Sequence, residues 1–219
     1  MLRTALKIAA AASCVIVPAL AAGQVQNSGP KAATYITDED VKQVNALPGI
    51  DRQIVSVDVG KTNVQVGIIH RVAAPAGASG GGAAGRAGAD ASAGPCGEQV
   101  STPPAGAAPG GITHDGQTET YLIVSGTGTL VTGGHIVNGR RSAPDGEVTK
   151  VLNGPSCSGM IAGADVVRRK VKTGDIVIIP AGVPHGWIDI IDHVDYLSVR
   201  PDPERVLAAG YVNPALQKK

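Results

Sequence analysis

Two short stretches of this chain carry residue types that do chemistry. The first runs His114-Asp-Gly-Gln-Thr-Glu119-Thr-Tyr121 and brings an imidazole, a carboxylate and a phenol close together in sequence. His114 and Glu119 stand five apart, a spacing that sets them on opposite faces of one regular strand, because strand side chains alternate. Asp115-Gly116 lies between them and is a strong hairpin signal. A reversal there ends one strand at His114, opens its neighbour at Glu119 and lets both side chains point the same way. From Glu119 onward the alternation puts Glu119, Tyr121 and Ile123 on one face and Leu122 and Val124 on the other. Ser125-Gly-Thr-Gly128 then ends that strand, and Leu130-Val131 starts another. Tyr121 is either a proton donor that orients a substrate or an aromatic filler with its hydroxyl satisfied.

The second stretch is Gly174-Asp-Ile-Val-Ile-Ile-Pro180-Ala-Gly182-Val-Pro184-His185-Gly-Trp187-Ile-Asp189. Gly174-Asp175 reads as a turn and Ile176 to Ile179 as a short apolar strand. Pro180, Gly182 and Pro184 punctuate a tight reversal, since Pro fixes φ and Gly tolerates positive values. His185 therefore opens the next strand at a rigid corner, as an inward lone-pair donor or as a packed core side chain. Trp187 and Asp189 follow His185 at period two, which places both toward the same cavity, or leaves Trp187 as the anchor of the core.

These two stretches resemble the paired motifs of the cupin superfamily, G-x5-H-x-H-x3,4-E-x6-G and G-x5-P-x-G-x2-H-x3-N. The second motif fits from Gly174 through Pro180, Gly182 and His185, with Asp189 where the family has Asn. The first fits at His114, Glu119 and Gly126 and departs at Ile112, where the first histidine of the pair belongs. The match spans residues 54 to 203. It implies an all-β fold, a single cupin jelly-roll barrel, with a divalent metal ion held by His114, Glu119 and His185. Two histidines and a carboxylate on one side of an ion form a facial triad that leaves positions open for substrate or O2. His70 is a candidate fourth ligand, because Val64, Val66, Ile68 and His70 alternate onto one face of the strand from Asn63. A degenerate barrel that keeps polar residues without an ion is the alternative. The donor set does not choose among Fe, Mn, Zn and Ni. His135, after a Gly-Gly turn, and His193, beside Asp192, read as surface residues.

The ends of the chain suggest a compartment. Arg3 and Lys7 precede an apolar run from Ile8 to Leu20, and Ala19-Leu20-Ala21 resembles a cleavage site. That is the pattern of a secretory signal peptide over residues 1–21, too short to span a bilayer comfortably. Export to the periplasm or the cell exterior is expected, with no membrane span elsewhere. The formal net charge of the whole chain is +1, and the leader carries two of its cations. The near-neutral remainder offers no field for nucleic acid or an anionic membrane. Export also permits a disulfide between Cys96 and Cys157, the two cysteines beyond the leader; free thiols or an intermolecular pair are the alternatives.

The organisation expected is one domain. A segment over 22–52 holds a short helix from Val41 to Leu47, started at Thr37-Asp-Glu-Asp40. The barrel covers 53–203, beginning with a strand at Ile54, and 204–219 forms a C-terminal tail. Within the barrel, 73–111 is a Gly/Ala-rich inserted loop with too few large apolar groups to bury itself. Phe is absent and Trp187 is the single Trp, so the core rests on Val, Ile, Leu and Ala. The cupin resemblance implies a small metal-dependent enzyme of oxygenase, isomerase or lyase type acting on a small molecule. The alternative is a non-catalytic cupin that binds a ligand or a partner, and a homodimer through sheet-to-sheet contacts is compatible with either.

Overall fold

Residues 32–73 and 93–218 are described in a computed structural model of the chain. The expected leader, residues 22–31 and the part of the insertion from 74 to 92 lie outside the described residues. Alternation along the chain yields eleven strands among the described residues, all paired antiparallel. They are β1 (Asp51–Asp58), β2 (Asn63–Val72), β3 (Pro95–Cys96), β4 (Ala108–His114), β5 (Glu119–Thr132) and β6 (His135–Arg141). β7 (Ser156–Ala162), β8 (Val167–Lys172), β9 (Ile176–Ile179), β10 (His185–Ile188) and β11 (His193–Asp202) complete the set. Ladder neighbours run β1-β2-β11-β5-β10-β4-β7-β6-β3, and β8 and β9 also pair with β5. The fold is all-β, as expected.

β5 is the spine that joins two sheets. Its first half pairs with β9 and β11, and its second half with β8 and β10. Ser125-Gly-Thr-Gly128 does not end the strand as the glycines suggest. The register slips by one residue against Asp195 and Tyr196, Gly126 adopts φ 72°, and the strand continues with new partners. A Cβ at Gly126 would overlap the carbonyl oxygen of His193, so glycine is required at this bulge. The Asp115-Gly116 reversal also differs from expectation. β4 pairs with β7 and β10 and lies one strand away from β5. The turn is a corner of the barrel, and it brings His114 and Glu119 together across that corner.

The interior divides into two halves. Ile69, Tyr121, Ile123, Leu130, Trp187 and Tyr196 pack into an apolar and aromatic core. Beside it lie Gln53, Asn63, Gln65, Ser198, Arg200 and Asp202, all buried. Most of their polar groups are met internally: Gln65 donates to Asp202 at 2.6 Å, and Gln53 donates to Gln65 at 3.1 Å. Buried amides and carboxylates persist only when they are hydrogen-bonded.

A helix, α1 (Asp38–Asn45), lies outside the barrel and starts three residues before the expected position. Thr37 and Asp40 form a reciprocal capping box. Val44 packs on Ile54, Val55 and Ile68, so the helix covers the outer face of β1 and β2. The expected tail is also part of the fold. Asn213 donates its amide to Ile54 at 2.8 Å, and Leu207 is buried. Beyond the reach of α1, Ile176 and Ile178 are exposed on the outer face of β9, so that strand is apolar on a solvent side as well as inside.

Cys96 and Cys157 form a disulfide that ties β3 to β7 across 61 residues, and both sulfurs sit in a core patch with Val131, Ile136 and Ile161. Cross-linking a loop of this length restricts the unfolded chain and contributes about 2–4 kcal/mol. Replacing both cysteines with alanine is therefore expected to lower stability by about that amount in urea unfolding. An unchanged midpoint and slope would refute this role for the bridge.

Candidate metal centre

His114 closes β4, Glu119 opens β5 and His185 opens β10, so three strand ends converge on one point. Two backbone bonds hold that corner. Gly182 of the Pro-Gly-Pro turn donates to the carbonyl of His114 at 2.8 Å, and Gly133 donates to that of Pro184 at 3.0 Å. β10 must also approach β4 closely, and a Cβ at Gly186 would overlap the carbonyl of Gly110. The Gly after His185 is thus a packing requirement.

The three side chains are buried, and one donor atom from each lies within 4.8 Å of the other two. His114 Nε2 is 3.2 Å and His185 Nε2 is 3.0 Å from Glu119 Oε2. Each imidazole is oriented from behind. His114 Nδ1 lies 2.8 Å from Ser156 Oγ, whose own proton goes to the Gly154 carbonyl at 2.9 Å. His185 Nδ1 lies 3.0 Å from the Val183 carbonyl. Acceptors at both Nδ1 atoms fix Nδ1–H and turn an Nε2 lone pair toward the carboxylate. His185 Nε2 has no aligned hydrogen-bond partner among the described residues. Two lone pairs and a carboxylate oxygen therefore share one small volume, an arrangement that a cation relieves. The residues fit a divalent ion with N and O ligands.

Glu119 divides its two oxygens. Oε1 accepts from Arg200 Nε at 2.8 Å, Ser198 Oγ at 2.9 Å and Asn153 Nδ2 at 3.1 Å. Oε2 accepts from Tyr121 Oη at 2.9 Å and faces the histidines. Burial pushes the Glu119 carboxyl up, but the Arg200 guanidinium beside it outweighs burial and holds it well below the usual carboxylate range. Burial and the Glu119 charge push the Tyr121 phenol well up, so it remains a donor. Arg200 is itself buried. Burial opposes its charge, while Asp51 at 2.6 Å and Glu119 raise its pKa on balance.

His70 is not brought to this point. The alternation of β2 holds, yet Val66 and Ile68 face the outer layer under α1, and His70 shares that side. Its Nδ1 contacts Asp195, which lies opposite it on β11, and its ring stacks on His193 at 6.0 Å. The inward row is Asn63, Gln65, Gly67 and Ile69. Asp189 also departs from expectation: it follows β10 with φ 51° and is exposed. Trp187 does face inward, where its indole donates to Tyr196 Oη at 3.2 Å as part of the apolar core. Ile112 is buried opposite His185 in register, so an apolar side chain fills the place beside the triad. His135 pairs with Glu98 at an exposed edge, and His193 is half-buried against Ser125 and Asp192.

Sequence reasoning missed Arg200, Ser198, Asn153, Ser156 and Asp51. A signal for the first two existed. Tyr196, Ser198, Arg200 and Asp202 alternate along β11 and form a polar continuation of an inward row.

No protein-family model and no curated protein matches the chain. Similar solved structures include a Bacillus halodurans protein, 11% identical, covering 84% of this chain and 90% of its own, with a TM-score of 0.39. Another is a Lactobacillus farciminis oxalate decarboxylase–formate complex, 13% identical, covering 70% of this chain, with a TM-score of 0.35. This chain spans 28% of that longer enzyme. A third is a cupin protein from Bacteroides fragilis, 11% identical, covering 71% and 75% of the two chains, with a TM-score of 0.30.

Arg200→Met leaves two buried carboxylates without their counter-charge and is expected to cost about 3–5 kcal/mol in denaturant unfolding. Because the folded-state pKa of Glu119 is depressed, its contribution is present above about pH 4.3 and is lost as pH falls through the lower folded value. Glu119→Gln should therefore flatten the acid limb of the stability curve of metal-free protein. An acid limb identical to wild type would contradict the assignment.

Proposed function

We propose that this chain, a cupin by its barrel and by the placement of both motifs, holds a divalent metal ion through His114, Glu119 and His185 and is a metal-dependent enzyme acting on a small molecule. The observation that carries the reading is the convergence of two Nε2 lone pairs on Glu119 Oε2 in a buried site. A bound ion supplies Lewis acidity or a redox centre there, in the manner of oxygenase, isomerase or lyase sites. The chain's own residues do the positioning. Ser156 and the Val183 carbonyl set the tautomers, and Arg200, Ser198 and Asn153 occupy one carboxylate oxygen so that the other faces the ion. Tyr121 keeps a proton at Oη beside Glu119, where it can be donated to a reacting oxygen.

Ile112 supports a three-ligand site, since its side chain offers no donor beside His185. The same feature keeps a second reading in view: a binding protein in which the ion is structural. Spectroscopic change at the ion on addition of small molecules, with turnover, separates the two.

Metal analysis after reconstitution tests the core claim. Wild type should take up one ion per chain. His114→Ala, Glu119→Gln and His185→Ala should each bind at least about 100-fold more weakly, and Ser156→Ala about 10-fold more weakly through loss of the Nδ1 anchor. Retained tight uptake in all three ligand variants would refute the site.

Export is part of the proposal. The leader-like segment and the disulfide support it, because bridges persist in oxidising compartments. Cell fractionation with N-terminal sequencing should find the protein outside the cytoplasm and shortened near residue 21. Cytoplasmic protein starting at Met1 would exclude export.

A further inference from the structure

On the outer face of β1 and β2, α1 leaves part of the sheet uncovered. Alternation after the register shift between Gln53 and Val55 turns Val55 and Val57 outward, where they pair with Val66 and Val64. These two pairs form the floor of an apolar groove of about 450 Å³ that extends to Asp58. Residues 32–34, just before α1, line it with the small side chains Ala32 and Ala33 and the hydroxyl of Thr34. Val57, Val64 and Val66 are half-buried, and Val59 at the same groove is 51% exposed. Contiguous apolar surface of this kind marks a binding surface where scattered apolar residues do not. The volume and the scarcity of polar groups match those of small-molecule sites.

We infer that this groove binds a small uncharged apolar molecule, an aliphatic chain or an aromatic ring system, at a site separate from the metal centre. The charge at the groove selects that class. Asp58 is the one ionisable side chain that lines it among the described residues. Its carboxylate is already matched: Oδ1 accepts from the Gly60 amide at 2.7 Å, and Oδ2 lies 3.4 Å from Arg205 Nη1. Arg205 is held in turn by Asn63 Oδ1 at 2.8 Å and the Gly60 carbonyl at 2.9 Å. A cationic ligand would have to compete with Arg205 for Asp58. An anionic one would bring an unpaired charge onto valine side chains beside a carboxylate, and desolvating such a charge is costly. An uncharged body avoids both costs and gains by leaving water. The wall at residues 32–34 makes the surface concave, which suits a small molecule better than the flat sheet of a second copy. Because β2 turns Asn63 and Gln65 to the opposite side, occupancy of the groove leaves the interior of the barrel undisturbed.

Fluorescence titration of the full chain tests this with two probes that share an aromatic body. N-phenyl-1-naphthylamine is uncharged, and 8-anilinonaphthalene-1-sulfonate carries a sulfonate. The uncharged probe should bind saturably at one site per chain, at least tenfold more tightly than the sulfonate, and 1-octanol should displace it. Val64→Glu sets a carboxylate in the floor and should weaken the uncharged probe at least tenfold. Ala33→Trp fills the groove from its exposed wall without touching the sheet. It should have the same effect, which covers a Val64 variant that fails to fold. Both folded variants should take up zinc as wild type does, since the metal ligands lie elsewhere. Absence of saturable binding, tighter binding of the sulfonate, or unchanged affinity in both variants overturns the inference. So does a concentration-dependent dimer that the two variants abolish in place of probe binding, because the groove then belongs to a second copy.

Discussion

The contact between Glu119 and Arg200 is the constraint around which the barrel is arranged. A carboxylate and a guanidinium, each buried to about one per cent exposure, are tolerable in an apolar interior only as partners. Arg200 spans further, to Asp51 on β1, so one side chain of β11 links the strand that opens the site to the strand that opens the barrel. The polar half of the interior grows from this ion pair, and the aromatic half packs beside it. Tyr121 belongs to both, its ring in the core and its hydroxyl on Glu119.

That pairing also makes the site asymmetric. Three donors saturate Oε1, leaving Oε2 to Tyr121 and the two imidazoles. A carboxylate without the Arg200 side would be drawn toward its neutral form by burial, and a neutral acid is a poor ligand. The histidines are treated likewise, each pinned at Nδ1 so that Nε2 carries the lone pair. Preorganisation of this kind places the cost of assembling the ligands on folding instead of on ion uptake. The disulfide contributes to the same corner, because Cys157 follows Ser156, the residue that anchors His114.

Glycines mark the positions where the backbone itself is the structural element. Gly126 permits the bulge by which β5 leaves one sheet and enters the other, and Gly186 lets β10 lie close against β4. Gly126 reads in sequence as part of a strand end. In the fold, Gly126 lies within a strand that runs on for six more residues to Thr132. The difference is physical: a positive φ inside a ladder bends a strand without ending it when partners are available on both sides.

Local pattern determined much of this protein. The strands at Asn63, Glu119, Ile176 and His185, the cap at Thr37 and the inward row of Glu119, Tyr121 and Ile123 all follow from side-chain alternation and turn chemistry. So does the nearness of His114, Glu119 and His185, through motifs whose spacing encodes the corner. Tertiary structure alone decided which face of a strand is the inside. Val66 and Ile68 pack under α1, and His70 went outward with them, while Gln65 and Gly67 turned in. The same holds for Arg200, Asn153 and Ser156, which lie more than thirty residues from Glu119 or His114 in sequence. Alternation reports that two faces differ; only the packing of other elements says which of them meets water.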